Sequence, residues 1–132
     1  MSFGDAVRSV LSKYACFTGR ARRSEYWYFV LFEMIVSAAL TGAAGFIGLR
    51  ESSVEALSSL LSLALLLPGL AVTWRRLHDI GKSGANYFWI LLPIAGPILL
   101  LVWFAREGDC GDNAFGPDPK AAERFRDQYE QF

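Results

Sequence analysis

Three stretches of this chain are too long and too uniformly apolar to be ordinary surface helices. From Tyr26 to Leu49 the only charge is Glu33, from Ala56 to Trp74 there is none, and from Tyr87 to Ala105 there is none. A helix rising about 1.5 Å per residue needs roughly 20 apolar residues to cross a ~30 Å hydrocarbon core, and each block has about that length. A soluble helix of that length carries a polar face, which these blocks lack. The sequence is 53% hydrophobic over 132 residues, and the blocking of those residues decides more than their total. The expected fold class is an all-α membrane protein, a single integral membrane domain over 1–132. It has about three transmembrane helices, at 26–49, 56–74 and 87–105, preceded by an N-terminal amphipathic interfacial helix in 1–18 and followed by a polar, turn-rich C-terminal tail, 106–132.

Formal net charge is zero, so no long-range field draws the chain to nucleic acid, and the cations act locally. Arg20, Arg22 and Arg23 precede the first block, and Arg75, Arg76 and Lys82 separate the second from the third; the connection "RESSVE" sets Arg50 against Glu51 and Glu55. Lys and Arg beside short spans mark the cytoplasmic side. This puts the N-terminus and the 75–86 loop inside and residues 50–55 outside. Three full crossings then carry the tail out. The third block holds Pro93, Gly96 and Pro97 at its centre, and proline removes a donor and clashes with the preceding turn. The favoured reading is a kinked full span bracketed by Trp89 and Trp103 and stopped by Arg106. The alternative is a re-entrant hairpin that keeps the tail inside.

Residues 1–20 show no continuous apolar core, so the first span is expected to act as the insertion signal. Phe3, Val7, Val10, Leu11 and Tyr14 share one helical face, with Ser2 and Asp5 placed as an N-terminal cap. Such a helix suits the headgroup region; a short helix packed on a loop or partner fits almost as well. Cys16 and Cys110, with one His, do not supply a four-ligand zinc site. With three spans they lie on opposite sides of the membrane, unpaired.

The stretch "TWRRLHDIGKSGANY" contains "GKS", but a phosphate loop needs a glycine five residues before Gly81, where this chain has Arg76, and a preceding strand. His78 and Asp79 are adjacent, so on a helix they point about 100° apart and make a poor catalytic pair. Arg75, Arg76 and His78 suit the C-terminus of the second helix, where cations meet the negative end of the dipole, and Gly81 and Gly84 supply the turn. No catalytic, cofactor-binding or metal residue is expected. The tail segment "GDCGDNAFGPDP" reads as successive turns, with Asp112 and Asn113 capping them and Phe115 as an anchor. Residues 120–132 read as a short charged helix or frayed end.

Glu33 stands about two turns inside the first span, roughly 10 Å past Tyr26. A carboxylate there costs about 2.5–3.5 kcal/mol on insertion scales unless paired or protonated. Ser37, Thr41, Ala44 or Gly45, and Gly48 continue its face, and Ser58, Ser62, Gly69, Thr73 and then Arg76 form a similar stripe on the second span. Small residues permit close approach. The expectation is that these stripes meet and that Arg75 or Arg76 reaches Glu33.

The phrases "FTGRARRSEYW", "RRLHDIGKSG" and "GDNAFGPDP" together resemble the signature stretches of the bacterial inner-membrane family named domain of unknown function 805, in order and spacing. The chain departs from that pattern in placing Ala85 and Asn86 after the SG pair. The resemblance implies a small multi-pass protein of the bacterial inner membrane without an established activity. The expected role is an interaction, scaffold or lipid-associated component, not an enzyme and without a cofactor. Its partners would be anionic lipid headgroups at the arginines, or a second copy of the chain. The alternative is an oligomeric small transporter or channel component using Glu33 and the arginine-rich loop. The residues carrying any such role are Arg20, Arg22, Arg23, Glu33, Arg75, Arg76, His78 and Asp79.

Overall fold

The computed structural model describes residues 1–131; position 132, the last of the expected tail, lies outside the described residues. The chain is an all-α membrane protein. Its helices are α1 (Phe3–Ser12), α2 (Arg23–Phe46), α3 (Glu51–Asp79), a 3-10 helix (Gly84–Leu91), α4 (Ala95–Ala105) and α5 (Ala121–Glu130). α2 and α3 are both long and apolar enough to cross a membrane. Their outer faces remain uncovered: Met34, Phe46, Leu60 and Leu63 are all more than 60% exposed, as suits side chains that meet lipid.

α1 begins where the Ser2 hydroxyl accepts a hydrogen bond from the Asp5 amide at 3.1 Å. It packs on α2 and α3. Ala6 and Val10 are fully buried, with Val10 against Ala21, Phe29 and Val72. Phe3, Leu11 and Tyr14 keep outward-facing surface. Its apolar face is therefore divided between the protein's own long helices and its surroundings.

α3 carries Pro68 in its interior. Proline has no N–H, so the carbonyl four residues earlier, that of Ala64, loses its helical donor. The Tyr14 hydroxyl donates to that carbonyl. The loop following α1 thus satisfies the defect that the proline creates. α3 ends at Ile80, and Gly81 turns the chain at φ +75°, a conformation open to glycine.

The third apolar block is not a kinked span. Pro93 holds Leu92 extended at ψ 119°, since the residue before a proline avoids the helical region. Ile94 then takes φ +66° and ψ −62°, and the Ala95 amide donates to the Pro93 carbonyl at 2.8 Å, closing a γ-turn. Pro97 falls in the first turn of α4, where a missing donor costs nothing. The block returns on itself. Gly84 lies against Trp74, while at the other end Phe104 offers its carbonyl to both Arg76 and Trp27, so both ends sit beside the C-terminus of α3. Gly96 permits the close approach: a Cβ there would overlap the Trp89 carbonyl. The hairpin, 11 residues on its α4 arm, rises ~16 Å, about half a hydrocarbon core. This corrects the expected span at 87–105.

The tail consequently returns to the N-terminal end. Asp109 donates its amide to the Asp79 carbonyl at 2.7 Å, and Cys16 offers its carbonyl to Arg75. The two cysteines therefore belong to the same end of the molecule, against the expectation of opposite sides. The second cluster of buried apolar side chains, Leu77, Ile80, Leu100 and Phe104, lies at this end as well.

Candidate functional site

The three motif stretches converge where α2 begins and α3 ends. Asp79 is their hub. One carboxylate oxygen accepts from Arg20 Nε at 3.0 Å and the other from Arg76 Nη1 at 2.5 Å, with all three side chains at most 5% exposed. The spacing Arg76 to Asp79 is one helical turn, so α3 itself sets that pair. Arg20 comes from the extended segment before α2 and reaches across to the tail, donating to the carbonyls of Asp109 and Gly111, each at 2.6 Å. A single arginine thus ties all three motifs together.

Arg75 belongs to a second pair. Its Nη1 meets Glu25 at 2.8 Å and its Nε donates to the Cys16 carbonyl at 3.2 Å, while the Ser9 hydroxyl of α1 donates to the same Glu25 oxygen at 2.9 Å. Arg76 completes its fork on the carbonyls of Phe104, Ala21 and Arg106. Three buried guanidiniums face two buried carboxylates, and backbone carbonyls take up the surplus positive charge. Such an array is expensive to desolvate and rests on nearly complete pairing. Among the described residues Arg75 Nη2 is a buried nitrogen left without a partner.

His78 faces the tail. Its Nδ1 lies 2.9 Å from the Gly19 carbonyl, which can only accept, so Nδ1 carries the proton. Its ring stacks on Phe115 with centroids 4.2 Å apart and planes 5° from parallel. Asn113 donates to the His78 carbonyl at 2.9 Å, and its own side-chain oxygen accepts from the Phe115 amide, closing the turn that aims the phenyl ring. Gly108 leaves room for the hub, since a Cβ there would collide with the Asp79 carboxylate.

Outside this buried layer, Arg22 meets Glu123 of α5 at 2.7 Å, and Arg23 meets Glu107 at 2.9 Å. The hydrogen bond from Lys120, aided by the charges of Lys120, Arg23 and Arg124, holds the Glu107 carboxyl below the usual carboxylate range. A hydrogen bond with the Thr18 side chain likewise lowers the Cys16 thiol.

Seven of the eight residues singled out in the sequence meet here: Arg20, Arg22, Arg23, Arg75, Arg76, His78 and Asp79. Glu33 stands apart. Both arginines expected to reach it are committed elsewhere, Arg75 to Glu25 and Arg76 to Asp79, because those carboxylates lie at the arginines' own level. The two small-residue stripes do approach each other around Glu33: a Cβ on Gly69 would stand 3.1 Å from its Oε1. Arg20, Arg75 and Arg76 are closed off from headgroups, whereas Arg23, with 45% of its side chain exposed, is the most open of the five arginines singled out in the sequence. Glu25 is the residue the sequence reading missed. It belongs to the first motif, three residues past Arg22, in the first turn of α2, where an acidic side chain is equally well accounted for by the helix dipole.

The family model described as "Protein of unknown function (DUF805)" matches residues 14–117, which include the first two converging stretches and the third as far as Pro117. The inner membrane protein YhaI of Escherichia coli K12 is 46% identical over 112 residues, covering 85% of this chain and 92% of its own. The inner membrane protein YhaH of the same organism is 38% identical over 117 residues, covering 88% and 97%. No solved structure matches. The chain belongs to the DUF805 family of inner-membrane proteins.

Proposed function

We propose that this DUF805 member is a non-enzymatic interaction component of the bacterial inner membrane, crossing it twice, with its N-terminus and tail both in the cytoplasm. The observation that carries this reading is the commitment of the motif residues. Arg20, Glu25, Arg75, Arg76 and Asp79 all serve as buried ties between segments. Residues spent in this way hold a surface in place, as in a scaffold, and have little freedom to turn over a substrate. The surface they hold is the tail and α5, on which Phe125 and Tyr129 are 61% and 65% exposed and pack together with centroids 4.7 Å apart. Concentration of Arg and Lys at this end supports a cytoplasmic placement. Arg23 is the motif cation available for an anionic headgroup, and self-association through the open face around Gly42 and Gly45 of α2 remains part of the proposal.

A photo-crosslinking residue placed at Phe125 in living cells tests the reading. The expected result is a discrete protein adduct, self or foreign, that fades in Arg20→Ala because the tail is released. The reading fails if Phe125 yields no protein adduct while the purified chain in vesicles supports a flux lost in Glu33→Gln. That outcome would favour the second reading, an oligomeric transporter or channel component, for which the unpaired Glu33 is the specific support.

A further inference from the structure

Between α2 and α3, within the membrane-length part of both helices, lies a cavity of about 310 Å³ lined by Glu33, Ser37, Ser62 and Gly69 and by leucines that include Leu61 and Leu65. Its composition is uneven. α2 contributes a carboxylate and a hydroxyl, α3 a hydroxyl from Ser62, and leucines make most of the rest. Among the described residues Glu33 takes part in no ion pair and no hydrogen bond, and the arginines nearest along α3 point away to Glu25 and Asp79. An unpaired carboxylate in hydrocarbon must hold a proton or meet a cation from outside the chain.

We propose that this cavity is a binding site for a lipophilic amine, a single protonated amino group on a hydrocarbon body. The ammonium would meet Glu33, with Ser37 one turn further along α2 accepting one of its remaining hydrogens, and the hydrocarbon would lie along the leucine wall towards Ser62 at the far end of the cavity. Three features select this class over others. A phosphate or carboxylate ligand would be repelled by Glu33. A hydrated metal ion would lose its water to a leucine-lined wall with one carboxylate, too few oxygen ligands to replace it. A neutral lipid tail would fill the wall but leave the carboxylate bare. The volume falls at the lower end of the range for small-molecule sites, which are mostly apolar with a few placed polar groups. Access is lateral, from the bilayer, where an amphiphilic amine concentrates with its charge near the interface.

The test uses octylammonium and its neutral counterpart octanol, with the purified full chain in phosphatidylcholine nanodiscs and empty nanodiscs subtracted. Octylammonium should bind saturably at one per chain. Glu33→Gln should weaken it about tenfold or more, as loss of one charge-assisted contact predicts, while leaving the weaker retention of octanol unchanged. Ser62→Leu keeps the carboxylate but fills the cavity, and it should also abolish saturable binding. Circular dichroism and a monodisperse elution profile establish that both variants are folded; should Glu33→Gln fail that check, Ser62→Leu carries the comparison. The proposal is overturned if octylammonium binds no more than to empty discs, if folded Glu33→Gln binds it as tightly as the unaltered chain, or if folded Ser62→Leu retains full binding.

Discussion

At the scale of single residues, Asp79 bears the greatest consequence. It is shared as counter-charge by Arg20 and Arg76, and both are buried. Asp79→Asn leaves two guanidiniums in the interior without a counter-charge, and loss of one partner from a buried pair costs about 3–5 kcal/mol. The expected outcome is a strongly lowered unfolding transition in detergent. Double-mutant cycles separate the real pairing from the one the sequence suggested. Glu25→Gln combined with Arg75→Gln should show a coupling above ~0.5 kcal/mol, while Glu33→Gln combined with Arg76→Gln should add within about that margin. A large coupling for Glu33 with Arg76 and none for Glu25 with Arg75 would mean that the arginines point up into the membrane.

At the scale of elements, two prolines in different surroundings have different effects. Pro68 stays inside a continuous α3 because Tyr14 supplies the donor its ring removes. At Pro93 the Trp89 carbonyl is met instead by the Leu92 amide at 3.0 Å, which closes the 3-10 helix, and with Ile94 in a γ-turn the chain reverses. Tyr14→Phe should therefore cost about 1 kcal/mol, the usual net worth of a hydrogen bond. Pro68→Ala restores the amide that Ala64 needs, so in that background Tyr14→Phe should cost almost nothing. Equal costs in the two backgrounds, read as unfolding midpoints, would show that the hydroxyl does not serve the broken carbonyl. The apolar length of residues 87–105 gave no sign of the reversal. Length measures what a segment could span, whereas the turn depends on which carbonyls find donors.

At the scale of the whole molecule, the hairpin decides where the tail lies. Under the proposed topology Cys16 and Cys110 are both cytoplasmic, so an impermeant thiol reagent applied to intact cells should label neither, and opening the membrane should expose Cys110 readily. Labelling of Cys110 in intact cells would restore a third crossing. The convergence of the motifs has the same origin. Arg20 contacts Asp79 across 59 positions and Gly111 across 91, separations at which spacing carries no information. That these stretches belonged to one family was legible from their wording and order. That they form one buried layer was not.

The sequence alone determined the environment and the elements: apolar blocks of membrane length required helices, because a backbone in hydrocarbon must satisfy its own hydrogen bonds. It also marked the end of α3 through Arg75, Arg76, His78 and Gly81, and the turns of the tail through Asp112 and Asn113, since these signals act over a few residues. Tertiary structure decided the partners. Glu25 and Glu33 are both acidic residues on α2, about two turns apart, and either could have met an arginine of α3. The depth at which α2 and α3 pack brought Arg75 level with Glu25 and set Glu33 against Gly69, leaving one carboxylate buried in a pair and the other facing a cavity. Charge pairing acts over a few ångströms, and that distance is set by packing between helices, which no local pattern in the chain records.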